Sequence, residues 1–579
     1  MSDLPPIRHR LSFPAPWTHD FEVETRLETE GCRSLELAMA VWTPGSYLVR
    51  EYARHVEGLC AEDERGAPLA VRKTRKNRWR FECAGASAIV VRYRLHAREL
   101  SVRTNWVDAE LALLAPAATF LFDPAHPERP HELRISPYEH WTAVECPLPG
   151  LRDGAEFVFH AADYDSLVDA PILAGGLEIH ERVVEGRPVK LVQAGDVARW
   201  DGAVAADACA RIAATQARFW GGLPYEEYRF FNVVLESGGG LEHRDSTVLL
   251  SGRAVFAQRR EYRRWLGTAC HEHFHVWNVK RLRPLELGPF DYENENLTRG
   301  LWFAEGATSY YDELLLRRSG LVSVEEYLEE LGEFLSRYLA TPGRLVQPLA
   351  ESSYDAWIKL YRPDANASNS RISYYTKGAV LCFLLDAELR TRTADRVTLD
   401  DWMRAAYARW SGARGFAEGE LEALASELAG VDLSAFFARA LHGTEELDLA
   451  PALAAFGLRF APETTPAPAW LGVAARAREG RIVVEEVRRD GPAWCAGVSP
   501  EDELLALDGL RLEVADWSVR LESLPVGLPL ELLLARRGRI RRVSVVVRPQ
   551  PQRVRKLELD PAATPEVQAR RASWLSELA

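Results

Sequence analysis

Five consecutive residues, His271-Glu272-His273-Phe274-His275, constrain this chain more than any other stretch: two imidazoles stand four residues apart with a carboxylate beside the first. The apolar spacing around them predicts a helix from about 262 to 279. Successive helical residues turn by about 100°, so His271 and His275 differ by only about 40° and point at one spot. Two imidazoles so placed pinch a single zinc ion, while Glu272 reaches a water beside the metal rather than the metal itself. His273 falls about 200° from His271 and is expected outside the ligand set.

A catalytic zinc takes three protein ligands and keeps one position open. Beyond His275, the run Leu301-Trp302-Phe303-Ala304-Glu305-Gly306-Ala307-Thr308-Ser309-Tyr310-Tyr311 predicts a second helix, and Glu305 is the carboxylate it offers as third ligand. Asp312 and Glu313 read as solvated charges. One zinc per chain on His271, His275 and Glu305, with Glu272 moving the proton, is the chemistry of amide hydrolysis.

Composition narrows the class around that motif. A hydrophobic content of 47% with 27% charged residues excludes global disorder, and 579 residues at about 150 per domain imply three or four units. The net charge of −13 argues against a nucleic-acid partner, so the run Lys280-Arg281-Leu282-Arg283 reads as a salt-bridged helix end. The first ten residues carry no apolar leader, and no stretch is long and apolar enough to span a bilayer. Eight scattered cysteines without a C-x-x-C pair read as reduced thiols. A cytoplasmic protein without a membrane partner is the expectation.

Along the chain, residues 1–170 hold short β-like runs (21–25, 35–42, 88–95) broken by Pro44-Gly45 and Pro149-Gly150, and predict an N-terminal β-sandwich-like domain. Residues 171–460 place strands (189–193, 230–236, 247–250) before helices (301–317, 324–339, 377–389), which reads as an α+β unit. The segment 461–469, rich in Pro and Thr, is a linker. A module of short strands fills the rest of 461–551, and 552–579 is a charged tail ending in a short helix with Trp574 and Leu575.

Three segments together closely resemble one family. They are the run from His271 to Pro284 (His-Glu-His-Phe-His-Val-Trp-Asn-Val-Lys-Arg-Leu-Arg-Pro), the run from Trp302 to Tyr311, and the run Trp42-Thr-Pro-Gly-Ser-Tyr-Leu-Val-Arg-Glu-Tyr-Ala-Arg-His55. The family is that of the glycyl aminopeptidases among the gluzincin metallopeptidases. The resemblance implies an N-terminal β domain, a thermolysin-like catalytic domain and a C-terminal PDZ domain. It also implies release of N-terminal residues from peptide substrates, glycine and alanine preferred.

Within it, Glu236-Ser-Gly-Gly-Gly-Leu-Glu-His resembles a Gly-x-Met-Glu-Asn element whose glutamate anchors the substrate α-amine, with Leu241 for Met and His243 for Asn. Glu242 takes that place and Glu236 competes for it; Gly239 and Gly240 would let an extended peptide approach the strand. Ser373-Tyr374-Tyr375-Thr376-Lys377-Gly378 resembles a Tyr-x-Lys-Gly element whose tyrosine donates to the oxyanion. Tyr375 aligns with it, Tyr374 is the alternative, and Lys377 is a helix-start charge. The order Ala469-Trp470-Leu471-Gly472-Val473, then Gly491 to Gly497, then Asp508-Gly509 resembles a PDZ domain, with amides around Leu471 to Val473 cradling a peptide C-terminus and Trp470 in place of the usual glycine. The competing readings are a PDZ-guided zinc endopeptidase and an inactive PDZ scaffold. Intact Glu272 argues against the scaffold, since a structural zinc takes four ligands and no proton shuttle.

Overall fold

Alternation builds the first domain. In the strand Asp20–Glu28 every second side chain, Phe21, Val23, Thr25 and Leu27, is buried, as where one face of an antiparallel pair covers a core. In the computed structural model, which describes residues 4–578 apart from 30, 464, 516 and 552–553, this strand lies between Ile7–Ser12 and Ala88–His96 in a seven-stranded sheet. A four-stranded sheet built on Ser34–Met39 and Arg78–Glu82, and another built on Leu111–Leu114 and Ile172–Gly175, share one hydrophobic core with it. His9 and His131 sit in that core, Nε2 to Nδ1 at 3.0 Å. Residues 1–3 of the segment read for a leader, and residue 464 of the expected linker, lie outside the described residues.

The sheet of the second domain comprises β1 (Glu178–Val184), β2 (Arg187–Gly195), β3 (Tyr228–Val234), β4 (Gly239–Glu242) and β5 (Ser246–Ser251), in the order β1-β2-β3-β5-β4. Strands β2, β3 and β5 are parallel, and β4 is an antiparallel edge. Helices α1 (Gly202–Trp220) and α2 (Arg259–Phe274) add Cys209, Ile212, Trp265, Leu266 and Ala269 to the core that also takes Leu191, Phe230 and Leu249 of the sheet. Val192, Phe231, Leu241 and Val248 pack instead with Leu111, Leu113 and Leu173 of the N-terminal domain. The free edge at β4 therefore lies where the two domains meet.

Helix α2 ends at Phe274, five residues before the expected end. Asn278 causes the stop: its side-chain amide donates to the carbonyls of Phe303 and Ala304 and to Thr308 Oγ1, and Val279 takes φ 105°. The Glu305 segment, expected as plain α-helix, is a π-helical turn over Trp302–Ala307 that runs into α3 (Thr308–Arg318). Such turns leave carbonyls free to accept outside bonds, and Asn278 takes two of them. Helix α4 (Val324–Ala340) opens on a Ser323/Glu326 capping box. Helix α5 (Tyr374–Thr393) meets the π turn backbone to backbone, since a Cβ on Gly306 would stand 2.6 Å from Gly378 Cα.

The C-terminal unit is a sheet in which Val473–Arg478 is an edge strand pairing with Arg481–Val487, with helices Pro492–Cys495 and Trp517–Glu522 and a core of its own. The chain then returns. Leu557–Leu559 pairs antiparallel with Leu458–Phe460, and Pro565–Leu575 buries Trp574, whose ring stacks on Phe456 at 4.1 Å. Residues 461–551 are thus inserted between two strands of one ladder, and the segment expected as a tail is anchored by an apolar side chain. No helix among the described residues is long and apolar enough to cross a membrane.

Candidate metal centre

Nε2 of His271 and Nε2 of His275 lie 3.4 and 3.2 Å from the same oxygen of Glu305, Oε2. Two ligands about 2.1 Å from a tetrahedral zinc stand about 3.4 Å apart, so these spacings fit the edges of a zinc coordination tetrahedron. Each ring is turned so that Nε2 faces inward: His271 Nδ1 meets Asp312 Oδ2 at 2.9 Å, and His275 Nδ1 meets Asn278 O at 2.8 Å. Burial by itself would raise the Glu305 carboxyl; the adjoining imidazoles outweigh it and bring the group down to about 2. Asp312 is therefore no solvated charge. It is a half-buried partner of a metal-facing histidine.

Glu272 follows His271 on α2 and is buried, with Oε2 lacking a hydrogen-bond partner among the described residues. Burial, with Glu242 and Glu305 nearby, pushes its carboxyl up to about 7 against the pull of the two histidines. Gly240 on β4 makes room for it, since a Cβ there would overlap Glu272 Oε1. Carboxylate oxygens of Glu242 and Glu272 and a nitrogen of His275 lie within 4.8 Å of one another. Gly239 and Gly240 lead along the edge strand to Glu242, which is 4% exposed.

The two open choices separate in space. Glu236 is 81% exposed in its side chain and pairs with Arg253, outside the cluster. The Tyr375 ring lies 6.2 Å from that of His271, and its hydroxyl is 3.3 Å from the hydroxyl of Tyr361. Tyr374 is fully buried beneath it, ring centroids 4.7 Å apart. Lys377 is no surface charge but is buried, donating to the carbonyls of Arg344 and Gly443. His273 points away from the cluster and is bonded to Tyr225 and Gln216; burial takes it down to about 3. The basic run is salt-bridged: Lys280 to Asp169 at 2.7 Å and Arg281 to Asp245 at 3.0 Å.

The N-terminal domain supplies residues that spacing arguments did not reach. Gly45 has φ 83°, and a Cβ on it would lie 2.5 and 2.6 Å from the Glu242 carboxylate oxygens, so its loop closes over that side chain. Burial, Glu305 and Glu242 all push the Tyr47 hydroxyl up. Arg103 donates to Gly240 O at 3.3 Å; burial would lower its guanidinium, but Tyr361, Tyr375, Glu272 and Glu242 around it raise it. Tyr47 lies inside the run from Trp42 to His55, whereas Arg103 and Tyr361 had no sequence signal at all.

Residues 264–381 match the family model described as M61 glycyl aminopeptidase, and residues 8–176 match that of the peptidase M61 N-terminal domain. Among solved structures, an aminopeptidase N family protein from Idiomarina loihiensis is 30% identical, with a TM-score of 0.92 over 98% of this chain and 100% of that one. An M1 zinc metallopeptidase from Deinococcus radiodurans is 14% identical, with a TM-score of 0.49 over 77% of this chain and 95% of that one. No curated protein matches the chain significantly.

Proposed function

The chain belongs to the M61 glycyl aminopeptidase family and is a zinc metallopeptidase, and from that premise we propose that it removes N-terminal residues, glycine and alanine preferred, from peptides. The observation that carries this reading is the Glu242 carboxylate, nearly buried, beside Glu272 and His275 and capped by the Gly45 loop. A carboxylate in that place rewards a free α-ammonium, and a mid-chain peptide bond brings no charge to meet it.

His271, His275 and Glu305 hold one zinc, which when bound supplies Lewis-acid polarisation of the scissile carbonyl and a more acidic water. Glu272 takes the proton from the attacking water and delivers it to the leaving amine. The Tyr375 hydroxyl donates to the carbonyl oxygen as charge builds there. Gly239 and Gly240 leave the β4 edge open for the substrate backbone. The free, mostly buried thiols support a reducing compartment, the cytoplasm.

The inserted C-terminal unit is read as a PDZ domain that receives a peptide C-terminus. The free edge of Val473–Arg478, in a unit whose core Trp517 and Leu521 also pack against, supports this. The Trp470 indole covers Gly472 at the head of that edge, which favours a packing role for the loop over open peptide capture.

Acetylation of the substrate amine separates this reading from an endopeptidase guided by the same unit. Turnover of alanyl and glycyl peptides is expected to vanish on N-acetylation; undiminished cleavage of the blocked peptides would reject the aminopeptidase.

A further inference from the structure

Arg103 is a charged side chain at the centre without a task in that reaction. Its Nε is buried and has no hydrogen-bond partner among the described residues, and its guanidinium makes one long bond, from Nη2 to Gly240 O at 3.3 Å. It is not spent on Glu272, whose Oε2 is equally unpartnered. Its backbone is pinned: the Tyr52 hydroxyl donates to Arg103 O at 2.8 Å, and Arg103 N donates to Ser101 Oγ at 3.1 Å. A fixed planar cation with unused donors thus faces the edge strand along which substrate would lie, and a carboxylate is the partner that uses such a fork in full.

Strand register narrows which carboxylate, because Arg103 Nη2 donates at Gly240 O. Glu242 and Gly240 are two residues apart on β4, which in a strand is about 7 Å. An extended dipeptide spans about 7 Å between its charged ends, and each further residue adds about 3.5 Å. We propose that Arg103 binds the C-terminal carboxylate of a dipeptide whose amine is held by Glu242, so that zwitterionic dipeptides are the preferred substrate class. This rests on the aminopeptidase reading and narrows it. Buried polar groups built to meet a charge reject the analogue that lacks it. An amidated dipeptide leaves Arg103 unpaired, and a tripeptide carries its carboxylate past it.

The test compares glycyl-alanine, glycyl-alanine amide and glycyl-alanyl-alanine in two ways on the full-length zinc protein: kcat/KM with the parent, and calorimetric affinity with Glu272→Gln. The free dipeptide is expected to exceed its amide by about 10-fold or more in both, with the tripeptide behind it. Arg103→Met should collapse the acid-to-amide ratio toward one, mainly through KM, and Arg103→Lys should keep part of it. Equal handling of acid and amide by the parent, or an unchanged ratio in Arg103→Met, overturns the proposal. The parent's ratio needs no variant to fold. Acetyl-glycyl-alanine reports separately on the amine: if blocking it changes nothing, the aminopeptidase reading falls, while the acid-to-amide affinity ratio still judges Arg103.

Discussion

Asp312 Oδ2 lies 2.9 Å from Nδ1 of His271, so a side chain on α3 holds the ring that α2 presents to the metal. Because a carboxylate behind a liganding imidazole fixes its tautomer and strengthens it as a donor, Asp312→Ala is expected to weaken zinc binding about 10- to 100-fold. Competition against a chromophoric chelator measures this. Parent-like affinity in the variant would reduce the contact to packing.

Glu272 touches the reaction rather than the metal. Glu272→Gln should keep about one zinc per chain by elemental analysis while kcat falls about a thousandfold. Loss of the metal together with the activity would move Glu272 into the ligand set, and retained activity would remove it as the proton carrier.

The two tyrosines at the start of α5 differ in reach. Tyr375→Phe is expected to lower kcat about 100-fold or more with little change in KM, as for loss of an oxyanion donor. Tyr374→Phe, altering a ring fully buried beneath it, should change kcat far less. The reverse order on an aminoacyl anilide would exchange the two roles.

At Gly45 an added methyl meets Glu242 at 2.5 Å and sits on a backbone with φ 83°. Gly45→Ala should therefore displace the carboxylate and cut kcat/KM by about 100-fold, with zinc content unchanged. A melting temperature recorded in parallel tells displacement from unfolding. An active, correctly folded variant would show that the N-terminal loop has no hold on the amine site.

The His9–His131 pair in the N-terminal core makes stability depend on pH. Burial takes both imidazoles below their ordinary value, with His131 adding to the effect on His9 and Arg129 to that on His131, which comes down to about 3. The folded form thus binds fewer protons than the unfolded one between about pH 6.5 and pH 3, and stability rises with pH across that window. Thermal melts should fall steadily as pH drops from about 6.5. The double change His9→Phe with His131→Leu should flatten that slope; an unchanged slope would place the acid sensitivity elsewhere, with buried His273 as the next suspect.

What local physics governs was legible in the residues. A four-residue interval on a helix sets an angle, so the convergence of His271 and His275 needed no knowledge of the rest of the chain, and alternation along 21–25 and 88–95 marked strands for the same reason. Helix ends were less legible: α2 stops at Phe274 because Asn278 bonds to carbonyls some 25 residues later in the chain, which no local pattern records. Neither could spacing choose Glu242 over Glu236, turn Asp312 from a surface charge into the partner of His271, or bring Gly45, Tyr47 and Arg103 to a centre built from residues 240–375. Those contacts join segments brought together where Leu111, Leu113 and Leu173 of the N-terminal domain pack with Val192, Phe231 and Leu241 of the catalytic sheet, and where Trp42 and Tyr47 pack against Trp357. Burying that apolar surface is non-directional with respect to sequence, so which side chains it delivers to the metal is decided in three dimensions.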